Sequence, residues 1–134
     1  MIMDIWKELQ DEGIDKALLD EIRQFRAAHP ATPEAAARIP VPRFLYYGKE
    51  IWESAAAALL CGEHLLLAGP KATGKNVLAE NLAAVFGRPN WDVSMYVNVD
   101  AASLIGADTL KDGKVVFREG PICQCARMGG FGVL

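Results

Sequence analysis

Apolar residues recur along this chain first at helical spacing and then in a mixture of helical and strand spacings. Asp4 can cap a short turn carrying Ile5, Trp6 and Leu9, which Gly13 interrupts. Leu18, Ile22 and Phe25 follow at spacings of four and three, flanked by Glu21, Arg23 and Arg26, and predict a second helix. Four of the seven prolines (Pro30, Pro33, Pro40 and Pro42) then fall close together. Between them, Thr32-Pro33-Glu34 can start only a brief helical turn, with Thr as cap and Pro at the first helical position. The pattern predicts an N-terminal helical segment over 1–29, a Pro-rich linker over 30–43 and a different unit over 44–134.

From Phe44 onward helix and strand patterns alternate. Lys49 to Cys61 predicts a helix with Ile51, Ala55, Ala58 and Leu59 on one side, stopped by Gly62. His64-Leu65-Leu66-Leu67-Ala68 is a continuous apolar run, the pattern of a strand buried on both faces. Lys75 to Phe86 predicts a helix with Leu78, Leu82 and Val85 on one face, ended by Gly87 and Pro89. Trp91 to Asp100 alternates without a break: Trp91, Val93, Met95, Val97 and Val99 face one way, as on a half-covered strand near a sheet edge. Thr109-Leu110 and Val115-Val116-Phe117 bracket Lys111-Asp112-Gly113-Lys114, a hairpin with Asp-Gly in its turn. Pro121 to Met128 predicts a helix closed by Gly129-Gly130, and Phe131 to Leu134 opens another strand.

Composition narrows the function. The 134 residues are 51 % hydrophobic and 23 % charged, enough for one domain's core and too apolar for wholesale disorder. Fourteen basic against 17 acidic residues give a net charge of −3, with no Lys/Arg block for nucleic acid or an anionic membrane. No run approaches the roughly 20 apolar residues that span a bilayer, and the acidic N-terminus is unlike a signal peptide. Three cysteines, Cys61, Cys123 and Cys125, suit reduced thiols in the cytoplasm; Cys123-x-Cys125 lacks zinc-site spacing and partners.

The chemistry concentrates in Gly69-Pro70-Lys71-Ala72-Thr73-Gly74-Lys75-Asn76, which fits the phosphate-loop pattern G-x-x-x-x-G-K. Glycines let the backbone curl so that successive N–H groups point into one concavity. The helix that starts there adds free N–H groups and the positive end of its dipole. Lys75 brings a full charge to the β- and γ-phosphates. The competing reading is a strand–turn–helix that needs glycines only for its turn. Ala72 stands where many such loops carry Gly, and Asn76 replaces the Ser or Thr hydroxyl that ligates Mg²⁺.

From Tyr46 to Leu134, about two thirds of its length, the chain resembles an AAA+ ATPase of the MoxR or dynein-related type. Three features carry the resemblance besides the loop's Gly-Lys. They are a Tyr47-Gly48 step opening a helix upstream, Gly69-Pro70 starting the loop, and the hairpin from Thr109 to Arg118 before Gly120-Pro121, similar to that branch's helix-2 insert. The resemblance implies an α/β P-loop NTPase fold, three-layer αβα, preceded here by the α-helical N-terminal segment. It implies ATP or ADP with Mg²⁺ as ligands, Asn76 as the loop's candidate metal ligand, and Tyr47 and Gly48 against the adenine. Tyr46-Tyr47 as a linker aromatic pair packed on the core remains an equal reading. It also implies a homo-oligomeric ring acting on a protein substrate or adaptor.

In this family the third strand ends in Asp-Glu, the acids that organise Mg²⁺ and activate water. Here that strand begins at Phe131, so the expectation is the N-terminal part of a longer protein, with an incomplete parallel sheet and no ATP turnover on its own. The family's strand order, 5-1-4-3-2, leaves a gap between His64–Ala68 and Phe131–Leu134. No catalytic residue is assigned. Asp100 reads as a helix N-cap more readily than as a substitute acid, and Asp108 and Glu119 as loop charges. His29 and His64 lack catalytic partners, and Arg88, Arg118 and Arg127 are open as ring-facing or plain surface residues. A P-loop kinase for a small acceptor and a non-catalytic, nucleotide-responsive interaction module stand as alternatives.

Overall fold

The protein is described from a computed structural model, residues 2–134. Helix α1 (Ile5–Asp11) starts at Asp4, whose carboxylate accepts from the Trp6 and Lys7 amides. Helix α2 (Lys16–Ala28) starts at Asp15, and its most buried residues are Leu19 and Ile22, with Leu18 and Phe25 half-buried beside them. The short α3 (Pro33–Ala36) has Thr32 as cap and Pro33 at its first turn. Helix α4 (Lys49–Leu60) buries Trp52, Ala55 and Ala56, whereas Ile51 stays 49 % exposed. Its buried face is therefore turned by about one residue from the predicted one. The Trp52 indole decides this: its Nε1 donates to Tyr46 O at 3.0 Å, so the largest ring goes inside with its polar atom satisfied.

Helix α5 (Lys75–Phe86) is the centre of the molecule. Leu78, Ala79 and every residue from Asn81 to Phe86 are buried. Helices α1 and α2 pack against it, α4 packs on α2, and Leu9, Ile22, Trp52, Leu82, Val85 and Phe86 share one core. Phe25 meets Phe86 edge-on, with centroids 5.3 Å apart.

Strand β1 (Asn90–Asp92) follows, then α6 (Ala101–Leu104), β2 (Gly106–Lys111), β3 (Lys114–Glu119), α7 (Pro121–Met128) and β4 (Phe131–Val133). Strands β1 and β4 pair in parallel with Trp91 opposite Gly132, and α7 packs on both. Strands β2 and β3 form a separate antiparallel hairpin, Leu110 opposite Val115, with Asp112 and Gly113 both at positive φ in the turn. The hairpin interrupts a crossover: α6 leads into it, α7 leads out, and the Gly120 amide donates to Ile105 O at 2.8 Å. Gly106 and Gly120 are required at that pinch, because a Cβ on either would meet backbone of the other limb.

The result is a mixed α/β molecule with a small parallel sheet, and two predicted strands are corrected. Residues 64–68 join no sheet among the described residues. Leu65 and Leu67 pack toward the core while Leu66 is 92 % exposed, so one face is covered and not both. The predicted strand from Trp91 to Asp100 ends at Asp92. The Val93 amide still bonds Val133 O at 2.8 Å, but β4 extends no further, and Met95 and Val97 stand in solvent. Alternation alone does not hold a strand whose partner has run out.

Candidate nucleotide-binding site

Gly69 to Asn76 form one loop leading into the first turn of α5. Gly74 is the N-cap, in the left-handed region at φ 86°, and offers no side chain to cap the helix. Ala72 is also left-handed, at φ 59°, a conformation that costs a residue with a Cβ roughly 1 kcal/mol or more. Among the described residues, no backbone N–H from Gly74 to Val77 donates to a protein acceptor. A cluster of free donors thus sits at the positive end of a helix dipole.

Lys75 spans the loop. Its Nζ donates to Gly69 O at 3.0 Å, to Pro70 O, and to Thr73 Oγ1 at 3.3 Å. Thr73 Oγ1 donates in turn to Pro70 O at 2.9 Å. The loop is therefore shaped before any ligand arrives, with its ammonium group beside the free amides. Donors of this kind fit a phosphate chain. They fit a metal less well: Asn76 is exposed in the first turn and supplies one neutral oxygen, so Mg²⁺ would draw its other ligands from phosphate and water. No group of three or more His, Cys, Asp or Glu among the described residues is arranged to hold a metal.

Of the two upstream candidates, Tyr47 is 70 % exposed and Gly48 is the N-cap of α4. It is Tyr46 that reaches the loop. A Cβ on Gly74 would lie 3.0 Å from Tyr46 Cδ2, and one on Gly48 2.9 Å from Tyr46 Cε1. The Tyr46 ring therefore fills the space between the N-caps of α4 and α5. Its backbone is fixed by Asn81, fully buried on α5: Asn81 Oδ1 accepts from the Tyr46 amide and Asn81 Nδ2 donates to Phe44 O, both at 2.9 Å. The signal that marks Asn81 in the sequence is a lone amide on an apolar helix face. Glu12, whose Oε1 accepts from the Gly48 amide at 2.6 Å, gives no local signal, since its partner lies 36 positions away.

The other polar candidates have structural partners. Asp100 caps α6, and bonds from the Ser103 amide and then the Ser103 hydroxyl hold its carboxyl below the usual range. Glu119 pairs with Arg127 at 3.1 Å. His29 Nδ1 lies 2.9 Å from Phe25 O, and its ring stacks on Phe25. Arg88 is not an idle surface charge: its guanidinium donates to the carbonyls of His29, Met128 and Gly129. Asp108 and Arg118 lie on the hairpin, and His64 is exposed. The three cysteines are free thiols, and burial raises the Cys125 pKa.

The chain is 31 % identical to the uncharacterized protein YojN of Bacillus subtilis over 124 residues, covering 90 % of this chain and 39 % of YojN. It is 37 % identical to protein NorQ of Paracoccus denitrificans over 93 residues, 68 % of this chain and 33 % of NorQ. It is 26 % identical over 96 residues to mouse von Willebrand factor A domain-containing protein 8, covering 69 % of this chain and 5 % of that protein. The chain thus spans a minor part of the length of these relatives. No solved structure matches it. The profile of the AAA domain, dynein-related subfamily, matches residues 64–134, from the unpaired apolar run through the loop, the crossover and β4, and the chain belongs to that family of AAA+ ATPases.

Proposed function

We propose that Gly69, Pro70, Lys71, Ala72, Thr73, Gly74, Lys75 and Asn76 hold the phosphates of ATP or ADP, with Lys75 as the dominant charge. The observation that carries this reading is the set of unbonded amides from Gly74 to Val77 at the start of α5, with the Lys75 ammonium folded over the same loop. Mg²⁺, when bound, neutralises phosphate charge, and Asn76 is the loop's candidate ligand for it. Tyr47 and Gly48 remain the adenine candidates from the resemblance. The 70 % exposure of Tyr47 leaves its ring available to a base. The fold to which this unit belongs is the three-layer αβα ATPase domain, with 1–29 and 30–43 as its helical lead and linker.

In the complete protein the module hydrolyses ATP in a homo-oligomeric ring in the cytoplasm and remodels a protein substrate or adaptor. The hairpin supports a protein partner: Leu110, Val115 and Phe117 lie on one of its faces at 73, 71 and 54 % exposure, with no core behind them. The net charge of −3 gives nucleic acid no footprint, and among the described residues no helix is long and apolar enough to cross a membrane. Titration of the chain with fluorescent ATP and ADP, beside Lys75→Ala, tests the reading; equal affinity in the two proteins overturns it. A second reading, a module that binds nucleotide without hydrolysing it, is favoured by the neutral oxygen of Asn76. Phosphate release by the full-length protein separates the two.

A further inference from the structure

Glu12 stands at the C-terminal cap of α1, outside the region that matches the family. Its Oε1 takes the Gly48 amide at 2.6 Å, while its Oε2 is buried with no hydrogen-bond partner among the described residues. A buried carboxylate oxygen left unpaired is costly. The retained bond is therefore short and charge-assisted, and it is made to the N-cap of a helix. Gly48 in turn leaves no gap beside Tyr46, and Tyr46 leaves none beside Gly74, the N-cap of α5 and the last turn of the phosphate loop. Behind the ring, the Tyr46 amide and carbonyl are held by Asn81 and Trp52. Tyr46 is thus fixed from behind and bounded on two sides. Releasing Gly48 opens one of those sides.

We propose that Glu12 is a positioning residue for the nucleotide site: its bond to Gly48 seats the Tyr46 ring against Gly74 and so holds the phosphate loop in its binding conformation. The inference rests on the phosphate-binding reading of that loop. It makes α1 part of the nucleotide site's machinery, because Glu12 ties the end of that helix to Gly48. The route is a chain of van der Waals contacts with one hydrogen bond, and a misplacement of under an ångström at Gly74 re-aims the amides that follow it.

The test uses the 134-residue chain, ATP titration and amide resonances of Gly74 and Lys75 read without nucleotide. Glu12→Met keeps length and burial but removes the acceptor; Glu12→Gln keeps an acceptor oxygen. Arg26→Ala serves as control, since it breaks a tie between α2 and the far end of α5. Glu12→Met is expected to weaken ATP binding about five- to tenfold and to shift both resonances, a part of what one charge-assisted bond is worth. Glu12→Gln is expected to stay within about twofold, and Arg26→Ala to lower stability without moving affinity in the folded protein. If Glu12→Met binds ATP as Arg26→Ala does and leaves the resonances in place, the inference is overturned while the phosphate-loop reading stands. If the unaltered chain binds no ATP, that reading falls, and the resonances alone decide the coupling. Should Glu12→Met not fold, Tyr46→Ala replaces it. That variant removes the wedge and keeps the Glu12 bond, and unchanged affinity there overturns the proposal equally.

Discussion

At the C-terminal end of α5 the chain satisfies its own backbone. Gly87, left-handed at φ 64°, donates to Ala84 O, and the Arg88 amide donates to Ala83 O at 3.0 Å. Arg26 reaches across from α2 to Ala84 O at 2.9 Å and Val85 O at 3.4 Å, placing a cation at the negative end of the dipole. At the N-terminal end there is no side-chain cap, Ala72 is left-handed, and the amides have no protein acceptors among the described residues. One helix thus carries a sealed end that stabilises and an open end whose donors are left for something else. The difference is the kind expected when local strain is kept at a working site and offset by packing elsewhere.

That contrast breaks most visibly at Lys75. Replacing it with Ala removes the only full charge in the first turn of α5 and should weaken ATP binding about 30- to 100-fold, the range for losing charge-assisted bonds. Melting temperature should scarcely change, because Nζ bonds only to exposed loop oxygens. Calorimetry paired with a thermal melt reads both. A variant that loses stability and affinity together would make the open end structural after all.

Arg26→Ala is the mirror experiment at the sealed end. Two carbonyls lose their cationic donor, at a cost of about 1–2 kcal/mol, or roughly 5 °C in Tm. Nucleotide affinity should hold within about twofold, measured on the folded fraction well below Tm. A shift in affinity comparable to that of Lys75→Ala would mean that the two ends are not independent.

How much of this contrast the sequence carried depends on how local each feature is. The bounds of α5 and α7 were legible to the residue, because their signals lie in the chain itself: Gly74-Lys75 and Gly87 for one, Pro121 and Gly129 for the other. The caps at Asp4, Thr32 and Asp100 were legible for the same reason. The Asp112-Gly113 turn was readable, though the strands it joins extend beyond the residues that suggested them. Pairing was not legible. His64–Ala68 and Val93–Val99 have strand patterns and no strand, because a ladder needs a neighbour that local periodicity cannot supply. The loop residues could be listed from their spacing, but the place of Tyr46 beside Gly74 required the Trp52 and Asn81 bonds that turn the segment. The Glu12 contact had no trace in the pattern at all.

A smaller effect is expected at Asn76. Its side chain is exposed at the second position of α5 and has no hydrogen-bond partner among the described residues, so exchanging it should leave the fold alone. Asn76→Thr restores the hydroxyl usual at this position and shortens the reach to a metal. ATP affinity should gain a dependence on Mg²⁺ of about three- to tenfold between chelator and millimolar metal, with the original chain showing less. Identical Mg²⁺ dependence in both proteins would remove Asn76 from the metal's surroundings.

The smallest effect, and the finest test of the open end, is at Ala72. At φ 59° an alanine bears a cost of roughly 1–2 kcal/mol relative to a residue without a Cβ. Glycine escapes that cost but gives the unfolded chain more freedom, worth about 0.4–1 kcal/mol in the other direction. The balance for Ala72→Gly is therefore a gain of about 0.5 kcal/mol, or a few degrees at most in Tm. Binding separates two uses of the strain. If Ala72 merely tolerates its conformation, ATP affinity stays level as stability rises. If its Cβ stiffens the loop in the arrangement that aims the amides, the glycine variant gains stability and loses affinity together, by about two- to threefold. The second outcome is expected, since Ala72 lies in the bridge that Lys75 and Thr73 tie back to Pro70 O, where added freedom must be lost again on binding. Equal affinity would mean that Lys75 alone shapes the loop.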